Sequence, residues 1–248
     1  MTASPVVLAH PAEAEAWWSE GTRSDILVPA TSTGARLSVL REILPGHSGP
    51  PLHRHPEEET YVVLSGVIDV WMHPGPDNGA SWWTDPRARG YRCGPNRAVT
   101  VPGGIGHCYR VRTDQPAEVI VVSRPSGLEA WTRAMGVPAT APGLPPAGST
   151  PPAPRAEILA LAHRLRVERL GDPVAPIDTP LEGETRPVPA IDQRGARLEG
   201  SVWLVASGGV EVWDRAGWLA APEGTVIVAD APVSVRSRSG ARVLVLSD

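Results

Sequence analysis

The chain has 248 residues and a formal net charge of −4 at pH 7, with a sequence pI near 6.0. This length allows one large all-β domain or two small domains that each bury a core. Charged residues of both signs are interspersed, and no basic stripe is present of the kind that nucleic acid or an anionic membrane would bind. The composition therefore predicts neither of these partners.

The N-terminal segment "MTASPVVLAHPAEAEAWW" lacks the positive region and the continuous apolar core of a signal peptide. No stretch approaches the roughly 20 apolar residues that a membrane span needs. We therefore predict a soluble cytoplasmic protein. Its two cysteines, Cys93 and Cys108, form no CxxC pair, and we predict free thiols, with a single bridge between them as the alternative.

From Ile26 to Ser123 the chain consists of short apolar or alternating runs separated by Gly, Pro, Asn and Asp. The runs are "DILVPA", "ARLSVLREIL", "ETYVVLSG", "VIDVWMH", "AVTVPGG", "HCYRVR" and "AEVIVVS". Strands of this length with turn signals between them predict a sandwich or a barrel.

A helical period follows these runs. The segments "SGLEAWTRAMG" and "RAEILALAHRLRVERLG" predict helices, since the second places Ile158, Leu161, Ala162 and Leu165 at i, i+3, i+4 and i+7. Between them, the proline-dense "VPATAPGLPPAGSTPPAP" is typical of a stiff extended linker.

The strand pattern then returns as an internal repeat. "YVVLSGVIDVW" at 61–71 matches "WLVASGGVEVW" at 203–213, and "VIVVS" at 119–123 matches "VLVLS" at 243–247. We therefore predict an all-β protein of two domains with one architecture, joined by a short helical and Pro-rich connector. The predicted boundaries are 1–124, 125–172 and 173–248.

The first domain contains a cluster of candidate metal ligands in "GPPLHRHPEEETYVVLSG", residues 49–66. His53, His55 and Glu59 have equal parity, so they face the same way on a strand. A bent barrel strand lets all of them reach one cation. His107 begins the strand after "VPGG", and an antiparallel pairing would bring it beside His55.

These motifs resemble the two sequence motifs of the cupin superfamily over roughly residues 30–124. "HRHPEEETYVVLSG" resembles the first motif and "GPNRAVTVPGGIGH" the second. The matching positions are His53, His55, Glu59 and Gly66 in the first motif and Pro102, Gly104 and His107 in the second. Val111 departs from the family pattern, which usually has asparagine there, and the stretch between the motifs is lengthened.

The resemblance implies a double-stranded β-helix barrel with a metal site of His53, His55, Glu59 and His107. Mixed nitrogen and oxygen ligands with open positions suit one divalent transition metal per chain, Fe, Mn, Ni, Co or Zn, and ligand type does not select among them. The two adjacent glutamates are excluded as ligands, Glu58 by parity and Glu57 by motif spacing.

Several other residues of the first domain are weaker candidates. Tyr109 shares the parity of His107, and we consider it as a catalytic hydrogen-bond donor to substrate, with core filling as the alternative. For Trp82 and Trp83 local packing is favoured over a substrate-stacking lid. No role is assigned to the remaining histidines, which are His10, His47, His73 and His163.

The second domain lacks these ligands. The repeat alignment places Gly195, Arg197 and Ser201 opposite His53, His55 and Glu59, and Ser234 opposite His107. No histidine follows His163. We therefore predict a degenerate cupin barrel without a metal.

Within the superfamily, the segment from "TGARLSVLREIL" into the first motif and the later "PSGLEAWTRAMG" resemble the quercetin dioxygenase-like cupins. This resemblance implies a metal-dependent dioxygenase acting on a small aromatic or enol-bearing molecule, with O2 as co-substrate and Glu59 as ligand and transient base. The alternatives are a non-redox isomerase or polyketide-type cyclase, and a non-catalytic small-molecule-binding protein. We expect a small-molecule substrate and a monomer or homodimer.

Overall fold

A computed structural model describes residues 6–75, 82, 85–149, 154–171, 181, 183, 185–188, 190–192, 195–198, 201–214, 216–237 and 240–247. The chain forms two compact units. The larger unit is Glu15–Pro187, and the smaller one combines Met1–Ala14 with Val188–Asp248.

The described residues of the larger unit form strands and three short helices. Its strands are β2 (Glu15–Ser19), β3 (Thr22–Val28), β4 (Ser38–Leu44), β5 (His53–Arg54), β6 (Glu58–Ser65), β7 (Ile68–His73), β8 (Arg89–Cys93), β9 (Arg97–Val101), β10 (Gly106–Val111), β11 (Ala117–Arg124), β12 (Val137–Pro138), β13 (Glu168–Arg169) and β14 (Arg186–Pro187). Its helices are α1 (Ala30–Thr33), α2 (Leu128–Met135) and α3 (Arg155–Leu165).

These strands form two antiparallel sheets, one ordered β12-β2-β3-β4-β11-β6-β9-β14 and the other β13-β5-β10-β7-β8. One buried cluster joins them, with Tyr61 and Val119 from the first sheet and Val70 and Val111 from the second. Because strand side chains alternate between faces, the residues of the same parity as these point between the sheets. This interior space is where the candidate ligands must lie.

All seven sequence-predicted strands and both predicted helices are confirmed. Strands β2 and β8 were not predicted, because "EAWWS" and "RGYRC" lack an apolar alternation. Both still pair with a neighbouring strand.

The smaller unit is also built of strands. They are β1 (Val7–Ala9), β15 (Ala190–Asp192), β16 (Gly195–Leu198), β17 (Val202–Ser207), β18 (Val210–Asp214), β19 (Gly217–Ala221), β20 (Val226–Val228), β21 (Val233–Arg236) and β22 (Arg242–Ser247). A 3-10 helix spans Pro11–Glu13. The sheet orders are β1-β20-β17-β22-β15 and β16-β21-β18-β19. A buried cluster that includes Trp203, Val212 and Val235 forms the core of the unit.

The repeat seen in the sequence is present in the strand pairing. The order β9-β6-β11-β4 corresponds to β20-β17-β22-β15, and β5-β10-β7-β8 corresponds to β16-β21-β18-β19. Gly66 and Gly208 occupy the same hairpin position with φ of 77° and 68°, a left-handed conformation that glycine adopts without steric cost.

The units do not follow the predicted boundaries at residues 124 and 172. Val7–Ala9 pairs with Val226–Val228, which brings the N-terminal segment into the smaller unit. The predicted connector lies within the larger unit, because β12 pairs with β2 and β13 pairs with β5. Backbone hydrogen bonding, which periodicity does not report, decides both differences.

None of the helices in the described part of the chain has the length and apolar character of a membrane span.

Candidate metal centre

The two cupin-like motifs meet through backbone contacts. His53 of β5 lies directly opposite His107 of β10 in an antiparallel pair, whereas the sequence predicted His55 there; β5 ends at Arg54, before His55. The turn before β10 packs against the other motif, with the Gly104 N–H donating to the His55 carbonyl at 2.7 Å. At Gly103 a Cβ atom would lie 2.1 Å from the Pro56 carbonyl oxygen, so only glycine permits this approach. The Pro-Gly-Gly turn thereby holds His107 beside the first motif.

His53, His55 and His107 form one group whose ligand nitrogens all lie within 4.8 Å of one another. The ring centroids are 4.4 Å apart for His53 and His107, 4.8 Å for His55 and His107, and 5.5 Å for His53 and His55. His55 and His107 are buried, and His53 is half-buried. The structure therefore brings the three predicted histidines together.

Hydrogen bonds orient two of these rings. Nδ1 of His53 contacts the Pro51 carbonyl at 2.9 Å, and Nδ1 of His107 contacts the Ile105 carbonyl at 3.0 Å. A carbonyl oxygen only accepts, so Nδ1 carries the hydrogen in both rings and the lone pair is on Nε2. This tautomer is the one that a metal-binding histidine uses when its other nitrogen donates to a carbonyl.

Glu59 completes the cluster from β6. Its Oε2 lies 3.4 Å from Nε2 of His107 and 3.6 Å from Nε2 of His55, and its side chain is almost fully buried. The Tyr61 hydroxyl donates a hydrogen bond to the same Oε2. The fourth predicted residue is therefore adjacent to two of the three imidazoles.

The polar atoms at the centre of this cluster fit a bound cation. Nε2 of His55 and Nε2 of His107 are both buried and make no hydrogen bond. A buried polar atom without a partner is energetically costly, and coordination of a metal ion would satisfy both. Imidazole and carboxylate donors together suit Fe, Mn, Ni, Co or Zn.

The pKa shifts of the metal-free cluster show that the Glu59 carboxylate is an anion that needs positive charge beside it. Burial, followed by repulsion from His107, lowers the pKa of His53 to about 3, which keeps this ring neutral. Burial alone would raise the pKa of Glu59, but His107 and His55 hold it well below its usual value. Burial would lower the pKa of His55, yet Glu57 and Glu59 raise it to about 10. Without a metal, the His55 imidazolium supplies the positive charge that Glu59 requires.

Glu57 has a position that sequence reasoning missed. Its Oε2 lies 3.2 Å from Nδ1 of His55, although outside hydrogen-bond geometry. The parity and spacing arguments considered it only as a ligand and assigned it no role. The chain leaves β5 after Arg54 and enters β6 at Glu58, and this break places the Glu57 carboxylate beside Nδ1 of His55. Pro56 was the sequence signal for the break, but it was not used in assigning parity.

Tyr109 lies on the inner face of β10 as its parity predicts. Its ring packs against the buried cluster, with its centroid 5.8 Å from that of Tyr61. Tyr109 therefore packs against the core, as the core-filling alternative predicted. A catalytic role for Tyr109 stays a prediction.

Two histidines of the larger unit that were assigned no role, His47 and His73, have carboxylate partners. Exposed His47 pairs with Asp114 at 2.7 Å, and buried His73 contacts Asp85 at 3.1 Å. Trp82 packs with Trp71, as the local-packing alternative predicted, and Trp83 lies outside the described residues.

The second-unit positions can be described in part. Gly195 and Arg197 lie on β16, where Arg197 is opposite Ser234 of β21. The pair corresponds to His55 and His107 in the repeat alignment. The metal-free character of this unit stays a prediction.

Comparisons with known proteins agree with this description. Residues 39–123 match the family model "Cupin domain". No curated protein sequence matches the chain.

Solved structures of oxalate decarboxylase from Bacillus subtilis are similar in fold. The enzyme at pH 4.6 is 13% identical with a TM-score of 0.57, and the match covers 100% of this chain and 77% of that one. A structure from a study of that enzyme's Mn(II) centres is 12% identical with a TM-score of 0.56, covering 100% and 78%. At this identity the likeness shows the fold alone.

Proposed function

We propose that this protein is a metal-dependent cupin enzyme that binds one divalent transition metal per chain through His53, His55, His107 and Glu59. The convergence of three Nε2 atoms beside a buried carboxylate carries the proposal. The cupin-domain match over 39–123 and the metal-dependent fold relatives support it.

For the reaction, we propose dioxygenation of a small aromatic or enol-bearing molecule. When bound, the ion supplies a Lewis acid and, if it is Fe or Mn, a centre for one-electron chemistry. The neutral ring of His53 and the anionic Glu59 together hold the site at a charge that suits a dication.

Within this reaction, Glu59 is the residue that moves a proton. In this proposal its carboxylate is the transient acceptor of the enol proton, and the Tyr61 hydroxyl holds the carboxylate in place by donating to Oε2. Tyr109 borders the same space and offers a hydroxyl to the substrate from β10.

A non-redox reaction is the second candidate. The specific observation that favours it is the likeness to oxalate decarboxylase structures, because that enzyme cleaves a carbon–carbon bond. Isomerisation or cyclisation belongs to the same class, since each needs a polarised carbonyl and a base but no net oxidation. The remaining alternative is a protein that binds a small molecule without converting it, and an absence of turnover with every substrate would favour it.

We also propose that each unit is a double-stranded β-helix barrel, the second being degenerate and metal-free. The repeated strand orders and the Arg197–Ser234 pair in place of two histidines support this. A cytoplasmic location and a monomer or homodimer complete the proposal.

The test is a pair of turnover assays on protein reconstituted separately with Fe(II), Mn(II), Co(II), Ni(II) and Zn(II). Flavonols, β-diketones and hydroxypyranones are screened with an oxygen electrode, and oxalate with a CO2 assay. The dioxygenase proposal expects O2 consumption that stops in an anaerobic chamber and in His55→Ala. Undiminished turnover without O2 would replace it with the non-redox candidate, and protein that takes up no metal would overturn both.

A further inference from the structure

Strand β13 of the predicted connector extends the sheet that contains two of the metal-ligand residues. It pairs antiparallel with β5, with Glu168 opposite Arg54 and Arg169 opposite His53. On the other side of β5, His53 lies opposite His107 of β10. Arg169, His53 and His107 therefore form one row across three neighbouring strands.

Contacts of its two neighbours show which face of the sheet Arg169 occupies. Glu168 forms an ion pair with Arg54 at 2.6 Å, so opposite residues of these two strands have their side chains on the same face. Leu170 packs against a second apolar cluster, which lies on the outer face of this sheet. Because strand side chains alternate, Arg169 lies on the other face, the inner one, with His53.

The row meets the ligand cluster on its accessible side. His55, His107 and Glu59 are 6%, 1% and 2% exposed, whereas His53 is half-buried and Arg169 is exposed. The side chains of directly opposite strand residues begin about 5 Å apart at Cβ, well within the length of an arginine side chain. A molecule that reaches the cluster from the His53 side therefore passes the Arg169 guanidinium.

The same row contains a second arginine, which has a different environment. Beyond His107 the row continues to Met72 of β7 and Arg89 of β8. The Arg89 guanidinium donates hydrogen bonds to the carbonyls of Pro86 and Ala88, so it holds its own loop. Arg169, next to the half-buried ligand residue, is the arginine of this row that is placed to meet a molecule entering from solvent.

We propose that Arg169 is a specificity-determining residue of this centre, which binds a carboxylate at the solvent end of the substrate while the enol end occupies the ligand cluster. A guanidinium matches a carboxylate with two parallel hydrogen bonds. The inference rests on the proposed metal-dependent function and narrows its substrate class to enol-bearing molecules with an anionic far end.

This role also gives the connector a part in the site. Helix α3 ends at Arg166, whose left-handed backbone has a φ of 57°, and β13 begins two residues later. The chain reversal places β13 along the free edge of β5. A segment outside the two ligand motifs thereby supplies the positive charge that faces the substrate.

The experiment uses Co(II)-loaded full-length protein and two probes that differ only at the far end. Kojic acid and comenic acid are hydroxypyranones with the same enol beside a carbonyl, and comenic acid has a carboxylate where kojic acid has a hydroxymethyl group. Binding is followed through the visible Co(II) spectrum. The variants are Arg169→Gln and Arg169→Lys. Arg54→Gln is the matched control, because it removes the same charge from the outer face of the adjacent strand.

Near pH 7 we expect the unsubstituted protein to bind comenate about tenfold more tightly than kojic acid, and Arg169→Gln to lose this preference. Kojic acid affinity should stay within about twofold in every variant. Arg169→Lys should retain part of the preference, since lysine keeps the charge without the paired donors. Arg54→Gln should retain all of it. Raising the salt from about 0.02 M to about 0.2 M should weaken comenate binding more in the unsubstituted protein than in Arg169→Gln.

Three results would overturn the inference alone, provided that Co(II) binds stoichiometrically. The first is comenate binding no tighter than that of kojic acid in the unsubstituted protein, which includes no binding of either probe. The second is an Arg169→Gln variant that keeps the preference or that loses affinity for both probes equally. The third is an equal loss of the preference in Arg54→Gln, which would indicate a general effect of β13. Failure of Co(II) to bind at all would instead overturn the metal-dependent function and this inference with it.

Discussion

The contact between Glu57 and His55 makes a sharp test of the centre. Substitution Glu57→Gln removes the negative charge that lies 3.2 Å from Nδ1 of His55, on the side of the ring away from the cluster. An outer carboxylate of this kind fixes the orientation of a ligand ring and increases the basicity of its other nitrogen. We therefore expect weaker metal binding without loss of the fold.

The size of the effect follows from the geometry. A hydrogen bond to a charged group contributes about 1.5–3 kcal/mol. The Glu57 side chain is 18% exposed and its contact lies outside hydrogen-bond geometry, so we take the lower end of that range. About 1.4 kcal/mol corresponds to a tenfold loss of affinity, which agrees with the roughly 10- to 100-fold cost of losing an outer partner of a metal ligand.

The adjacent residue provides the control. Glu58→Gln makes the same change in net charge, but Glu58 begins β6 with its Cα opposite Arg124 and shows no contact with the histidines among the described residues. Competition of each variant with a chromogenic chelator for Co(II) gives the affinities, and thermal unfolding of the metal-free proteins checks the fold. An equal loss in both variants, or no loss in Glu57→Gln, would refute the reasoning.

Four further predictions follow from the same structure. His55→Ala should reduce metal content from one ion per chain to near zero by elemental analysis after dialysis; full retention would contradict the ligand assignment. Because burial raises the pKa of Glu42 to about 7, the metal-free folded state holds a proton there that the unfolded chain releases near pH 4.5. Stability should thus fall between about pH 4.5 and pH 7, by up to about 3 kcal/mol, in urea titrations of the unsubstituted protein but not of Glu42→Gln. Cys93, whose pKa burial raises to about 12, should resist alkylation by iodoacetamide at pH 8 until the protein is unfolded. Trp203→Ala removes a fully buried ring from the core of the smaller unit and should cost about 3–5 kcal/mol of its unfolding free energy, measured by chemical denaturation.

The sequence alone was enough to predict most strands of the larger unit, the internal repeat and the identity of the ligand cluster. The alternation of apolar residues marks the strands, because one face of each strand must be buried. The match of 61–71 with 203–213 showed the repeat before any strand pairing was known. The two motifs also grouped His53, His55, Glu59 and His107 correctly, but the parity prediction for the first three was wrong. His53 lies on β5 and Glu59 on β6, which belong to different sheets, so the packing of the two sheets brings these side chains together.

Other features depended on contacts between residues far apart in the chain. Val7–Ala9 joins the smaller unit because its backbone pairs with β20, and the connector joins the larger one because β12 and β13 extend its sheets. Backbone hydrogen bonds form with any side chains, so sequence patterns carry little information about them. The interior position of Glu42 also depends on contacts with residues far away in the chain. Its sequence context shows an ordinary charged residue beside Arg41, and only the packing of neighbouring strands desolvates this carboxyl group and raises its pKa to about 7.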